Sequence, residues 1–170
     1  MTPKILLTSF DIWLPHHQSN SSDDLLLEIA KFSSLPLALT FFRRLPVDVN
    51  LASNLVLTQI QELQPDSIIC CGMAEKRTQI TIESNARWED KVLQTSVNLD
   101  QLILGLSGTK ISHDAGKFVC EGLYYWVLDY LRDRHLKTPC IFVHVPILTP
   151  ENSPGIVSDF LWIVQRLHRL

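Results

Sequence analysis

Two kinds of apolar pattern alternate along the chain. Short, dense apolar runs bounded by polar turns predict strands at "KILLTSF" (4–10), "LALTFFRRLP" (37–46), "DSIICCG" (66–72) and "CIFVHVP" (140–146). The third run is nearly all apolar, as a central strand covered on both faces requires. "TQITIES" (78–84) alternates polar with apolar, like a strand nearer an edge, and "TKISH" (109–113) predicts one more strand. Between these lie helical patterns. "SNSSDDLLLEIAKF" (19–32) opens on a Ser/Asp-rich start, and Asp48 caps a helix whose Ala52, Val56, Ile60 and Leu63 share one face that stops before Pro65. In "DAGKFVCEGLYYWVLDYL" (114–131), Cys120, Tyr124, Val127, Leu128 and Leu131 fall on one helical face. "SPGIVSDFLWIVQRL" predicts a last helix with Ser153 as cap and Pro154 at the first helical position. Residues 87–108 show no clear period and read as irregular. With no repeat, low-complexity tract or linker, strand and helix in alternation predict one α/β domain over residues 1–170. Its architecture is a three-layer α/β/α sandwich with a mixed, mainly parallel central sheet.

Composition narrows the function classes. The chain has 170 residues, 46% hydrophobic and 19% charged, enough to bury a sizeable core. A formal charge of -3 with scattered basic residues, clustered only at Arg43-Arg44 and in 132–137, gives no footprint for nucleic acid. No stretch approaches the ~20 apolar residues of a membrane span, and "MTPKILLTSFD" reads as a first strand instead of an export signal. Four cysteines without a CxxC pair fit a reducing cytosol. His16-His17 lie in a Pro-containing loop and read as a solvated surface pair, with no metal site expected. The apolar 98–108 region is a candidate surface for a homo-oligomer.

Two polar residues sit where strands end and helices begin, the usual place for a site in an open α/β sheet. Cys120 lies in the first turn of its helix, where unpaired N–H groups and the positive end of the dipole favour a thiolate and an oxyanion. As a small apolar residue on a buried stripe it is equally explained by packing. His144 occupies the end of an apolar strand, where an imidazole needs a hydrogen-bond partner. Cys with His is the minimum set for thiol-based acyl transfer. Glu83, at the end of "ITIE", is the candidate carboxylate to orient the imidazole, and a solvated strand-end charge is the alternative.

The blocks carrying these residues resemble a known family, pyroglutamyl peptidase type I, also called pyrrolidone carboxyl peptidase. Its members have a strand ending Ile-Thr-Ile/Leu-Glu preceded by an arginine, a Gly-x-x-Val-Cys block and a His-Val-Pro strand end. This chain has "RTQITIESNA" (77–86), "DAGKFVCEGLYY" (114–125) and "FVHVP" (142–146), in that order. "LLTSFD", "SNSS" and "RLPVD" resemble further family segments, and the Cys120 to His144 interval resembles the family's arrangement. The resemblance implies Cys120 as nucleophile, His144 as general base then acid, and Glu83 as orienter. The implied reaction removes an N-terminal pyroglutamyl residue through a thioester, in the cytosol and with no cofactor. It implies an apolar wall at Phe10 and an oxyanion donor at the Cys120 N–H. Trp13, Asn20, Met73 and Val119 complete the expected substrate-binding set.

The chain departs from the family pattern at the binding end. "IWLPHHQ" (12–18) replaces a Phe-Gly-Gly turn, so Trp13 replaces an aromatic wall. In "GMAEKR" (72–77) Met73 stands for a glutamine, and Glu75-Lys76 stand for two glycines. Glu121 replaces an asparagine beside Cys120, and the Glu83 to Cys120 interval is shorter. Three expectations follow: a shortened peptidase acting on pyroglutamyl peptides, an amidase with the same triad and another small N-blocked substrate, or a catalytically silent relative that binds a peptide or protein.

Overall fold

The computed structural model describes residues 1–170. Its main sheet contains β1 (Lys4–Phe10), β2 (Ala38–Leu45), β3 (Ser67–Met73), β4 (Ile80–Glu83), β7 (Thr109–Ser112) and β8 (Cys140–Val145). A separate hairpin pairs β5 (Asn85–Trp88) with β6 (Lys91–Gln94). The helices are α1 (Ser21–Ile29), α2 (Val49–Leu63), α3 (Leu99–Ile103), α4 (Val119–Asp133) and α5 (Ser153–Leu167). The six strands run in the order β2-β1-β3-β8-β4-β7. Every pair is parallel except β4 with β8, which gives the mixed, mostly parallel sheet expected.

Strand alternation divides the core into two layers. Ile5, Leu7, Ile69, Cys71, Ile80, Ile82, Ile141 and Val143 face α1 and α5, packing with Leu25, Ile29, Phe160 and Ile163. Leu6, Phe10, Ile68, Cys70, Cys140 and Phe142 face α2 and α4, packing with Ala52, Val56, Leu123 and Tyr124. By the same parity Gly72, Glu83 and His144 project toward α4. The functional candidates are therefore on one face because the strand period puts them there.

Local signals explain most boundaries. Asp48 accepts the N–H of Leu51 at 2.8 Å, and α2 ends at Gln64 in the left-handed region before Pro65. Two expectations are corrected. Residues 87–108 are not irregular: they hold most of the β5–β6 hairpin and all of α3. The hairpin strands have four residues each, β6 is mostly exposed, and the turn carries Glu89 at φ 53° where a glycine or asparagine would be the usual signal. At five residues, α3 is too short to develop a period. The alternating strand at 78–84 is second from the edge of the sheet, as its pattern suggests, with β7 outside it. Finally, Asn152 and not Ser153 is the N-cap of α5. Its side chain accepts from Thr149 N and donates to Ile147 O, shaping the preceding turn in place of a helix cap.

Helix α4 approaches α2 and the hairpin closely at Gly122. A Cβ there would lie 2.7 Å from Val49 Cγ1 and 3.0 Å from Trp88 Cζ3. Alanine in a helix is favoured over glycine by about 0.5–1 kcal/mol, but overpacking costs about 1–3 kcal/mol and a β-branched valine is slow to yield. Gly122→Ala is expected to lower the unfolding free energy in urea titration. A more stable variant would show that the interface has room.

Candidate active site

The C-terminal ends of β1, β3 and β8 supply the floor of a cavity of about 300 Å³. Phe10 ends β1, Met73 ends β3 and His144 is one residue from the end of β8. The first turn of α4 closes one side with Val119 and Cys120. Trp13 and Asn20, from the segment after β1, complete the expected set around the opening. All five expected binding residues, together with Cys120 and His144, thus line one space. Glu83 lies behind His144 and is fully buried.

Because β4 runs against β8, Thr81 lies opposite His144 and Glu83 opposite Phe142. The Glu83 side chain reaches back diagonally, and its Oε1 lies 2.7 Å from His144 Nδ1. Arg77, in the turn entering β4, donates Nη1 to the same Oε1 at 2.5 Å and to Thr81 Oγ1, and donates Nη2 to the Asp114 carbonyl at 2.9 Å. Burial pushes the Glu83 carboxyl upward, but hydrogen bonding from His144, with help from Arg77, brings it below the usual carboxylate range. An ionised Glu83 fixes the imidazole proton on Nδ1 and leaves Nε2 as a free lone pair. Sequence reading missed Arg77 as a site residue, although it stood in the quoted block. Nothing in the sequence tells that its fork bridges Glu83 to the turn before α4.

Cys120 is the second residue of α4, in a turn whose first N–H groups have no partner within the helix. The entry to α4 depends on Asp114, whose Oδ1 accepts Gly116 N at 3.0 Å, and on Gly116 at φ 92°. The sulfur occupies the space a side chain at position 72 would fill: a Cβ on Gly72 would lie 2.5 Å from Cys120 Sγ and 2.9 Å from Phe142 Cζ. Gly72 is the register partner of His144, so the sulfur sits beside the imidazole's own position in the sheet. No hydrogen bond joins Cys120 to His144 in this conformation. Burial, reinforced by the negative charge of Glu83, pushes the Cys120 thiol up to about 12. This direction opposes the one that the helix terminus alone would give.

Glu121 turns away from the sulfur and accepts Arg87 N at 3.0 Å, so it anchors the hairpin. Asn20 lines the cavity with its amide already committed. Its Oδ1 accepts from Ser22 N and Ser22 Oγ, capping α1, and its Nδ2 donates to Asp11 O. Val47, Val49, Ala115 and Phe118 also line the space, and only their side chains' positions in the fold reveal it. The His16-His17 expectation is corrected in part. His16 is solvated, but the His17 side chain is only 5% exposed, and both reach Glu75 in the turn after β3.

No family model matches the chain. Among curated proteins it is similar to the pyrrolidone-carboxylate peptidase of Bacillus thuringiensis (strain Al Hakam), 27% identical over 152 residues, covering 73% of this chain and 71% of that protein. It is 28% identical over 176 residues to the one from Vibrio vulnificus (strain YJ016), covering 88% and 81%. The crystal structure of pyroglutamyl peptidase I from Bacillus amyloliquefaciens matches with a TM-score of 0.84 at 21% identity, over 99% of this chain and 96% of that one. Pyrrolidone carboxyl peptidase from Thermococcus litoralis gives 0.83 at 18% identity, over 98% and 93%. The solved structures share the fold, and this chain is similar in sequence to curated pyrrolidone-carboxylate peptidases.

The half-buried thiol gives a direct pH test. Iodoacetamide labelling of Cys120 is expected to be slow at pH 7 and to climb about tenfold per pH unit to pH 10, following the thiolate fraction of a group near 12. Levelling at or below about pH 9 would mean the sulfur is better stabilised as thiolate than its burial allows.

Proposed function

We propose that this divergent relative of the pyrrolidone-carboxylate peptidases is a cysteine-type peptidase that removes an N-terminal pyroglutamyl residue. The observation that carries the reading is the Glu83–His144 hydrogen bond at 2.7 Å, set behind a cavity that both His144 and Cys120 line. Cys120 is the nucleophile, His144 the base and then the acid, and Glu83 the orienting carboxylate. His144 Nε2 takes the thiol proton as the sulfur attacks the acyl carbon, and the Cys120 N–H receives the developing oxyanion. The proton passes to the leaving amine, a thioester remains, and water activated by His144 releases the acid and restores the thiol. A thiol near 12 makes proton removal part of the attack instead of a prior equilibrium. Arg77 acts through Glu83 as a positioning residue. The whole chain acts as one domain, and its four free cysteines suit the cytosol. No helix is long and apolar enough to cross a membrane.

A second reading has its own support. Nine of the eleven lining residues are hydrophobic, and the Asn20 amide is spent on Ser22 and Asp11. The Met73 thioether is only a weak hydrogen-bond acceptor for a lactam. An apolar acyl group also suits this space, and the same triad would then cleave a small N-blocked amide of that kind.

A panel of fluorogenic amides separates these readings. Pyroglutamyl amide cleavage that disappears in Cys120→Ala supports the first, and cleavage of only apolar N-acyl amides supports the second. Glu83→Gln is expected to lower kcat by about 10²–10⁴, because the imidazole loses its fixed tautomer. Cleavage surviving in Cys120→Ala would remove Cys120 as nucleophile. An intact protein that cleaves no member of the panel would favour the binding relative.

A further inference from the structure

We propose that His16, His17 and Glu75 form a binding site for a zinc-class divalent cation, which clamps the segment carrying Trp13 to the turn after β3. Their ligand atoms all lie within 4.8 Å of one another. His16 Nε2 is 3.3 Å and His17 Nε2 2.7 Å from the same oxygen, Glu75 Oε2. Zinc bound at about 2.0–2.2 Å in a tetrahedron holds its ligands about 3.3–3.6 Å apart. The His16–Glu75 separation already matches, and His17 needs to withdraw by less than an ångström. Two imidazole nitrogens and one carboxylate oxygen select zinc and its neighbours over magnesium or calcium. Three protein ligands leave a fourth position for water, and Glu75 is open enough to solvent for a cation to enter.

Without a cation both imidazoles donate Nε2–H to one carboxylate oxygen. Binding requires each Nε2 to be bare, which moves the His17 proton to Nδ1. That atom is buried and has no hydrogen-bond partner. No protein bond has to break there, and the Nδ1–H so formed is a buried donor without a partner, a cost that the cation's bond to Nε2 has to exceed.

The consequence for the cavity comes from how the segment is held. Residues 12–18 make no hydrogen bond outside their own segment and Asp11 except through His16 and His17 to Glu75. Trp13, on this segment, lines the cavity and lies 5.8 Å from the Phe118 ring across its mouth. A cation on the three ligands therefore fixes one wall of the candidate active site from outside it, whether or not Cys120 cleaves amides.

The test uses the full chain carrying Cys120→Ala, so that the cavity thiol cannot take the metal. Titration calorimetry is expected to find one equivalent of Zn²⁺ bound, with Mg²⁺ failing to compete. Adding Glu75→Gln or His16→Ala, both at exposed or half-buried positions, should weaken Zn²⁺ by at least about tenfold. Amide hydrogen exchange across residues 12–17 should slow with Zn²⁺ and should not change when Glu75→Gln is present. Absence of saturable Zn²⁺ binding, equal Mg²⁺ binding, or affinity unchanged in both variants would overturn the site. Exchange unaffected by bound Zn²⁺ would overturn the clamp.

Discussion

A fully buried carboxylate, Glu83, organises this end of the molecule. An ionised group in a protein interior is costly unless charge and hydrogen bonds replace the water it lost. Here the replacement comes from two donors, both on Oε1, while Oε2 has no hydrogen-bond partner. His144 Nδ1 approaches from β8, the Arg77 fork approaches from the turn before β4, and the same fork continues to the Asp114 carbonyl ahead of α4. One charge thus ties two strands to the turn that aims Cys120. The antiparallel register of β4 against β8 makes this possible, because it carries Glu83 two register pairs deeper than His144 and leaves Arg77 at the mouth. A parallel β4 would send residue 83 out toward solvent.

The sulfur is held by a different constraint, the absence of a side chain. Gly72 and His144 are neighbours in register and face the same helix, and the missing Cβ at Gly72 is the space that Cys120 Sγ fills. Packing and chemistry thus agree on the same residue. Cys120 joins the apolar layer between the sheet and α4, and at the same time stands beside the only imidazole in the cavity. The burial that makes it a good core residue is what raises its proton affinity. A group in that position suits chemistry in which the proton leaves only when a substrate is present to be attacked, with Glu83 and His144 already set.

How much of this was legible in the sequence depends on the range of the interaction. Strands buried on both faces, such as β3 and β8, and helices with a long apolar stripe, such as α2 and α4, write their burial as a period, and their limits were readable to within a residue or two. The hairpin β5–β6 and α3 were not, because four- and five-residue elements cannot show a period and Glu89 gives no turn signal. His144 stood out because an imidazole is costly in an apolar strand, whereas Cys120 and Glu83 each had an ordinary local explanation and were singled out by their places at a helix start and a strand end together with the resemblance. Arg77 was missed because an arginine in a turn is locally unremarkable, and its role exists only through Glu83, Thr81 and Asp114 together. The polar commitment of Asn20 was hidden for the same reason, since capping and pocket lining look alike until the acceptor is known.

Two departures from the family pattern that look independent in the sequence are one feature in space. "IWLPHHQ" follows β1 and "GMAEKR" ends and follows β3, and these strands are parallel neighbours, so both altered segments emerge at the same end of the sheet. Glycines at both places would leave two pliable turns. Here His16 and His17 from one turn reach Glu75 in the other, and Trp13 is carried over the cavity toward Phe118. The change is internally consistent: losing backbone freedom in both segments is compatible with the fold only because the new side chains satisfy one another. The cavity that results is bounded by Trp13 and Met73, the two apolar residues contributed by those same altered segments. Whatever selects the ligand of this site therefore acts through a wall that was rebuilt as a unit, while the carboxylate, imidazole and sulfur beneath it remain set by the sheet.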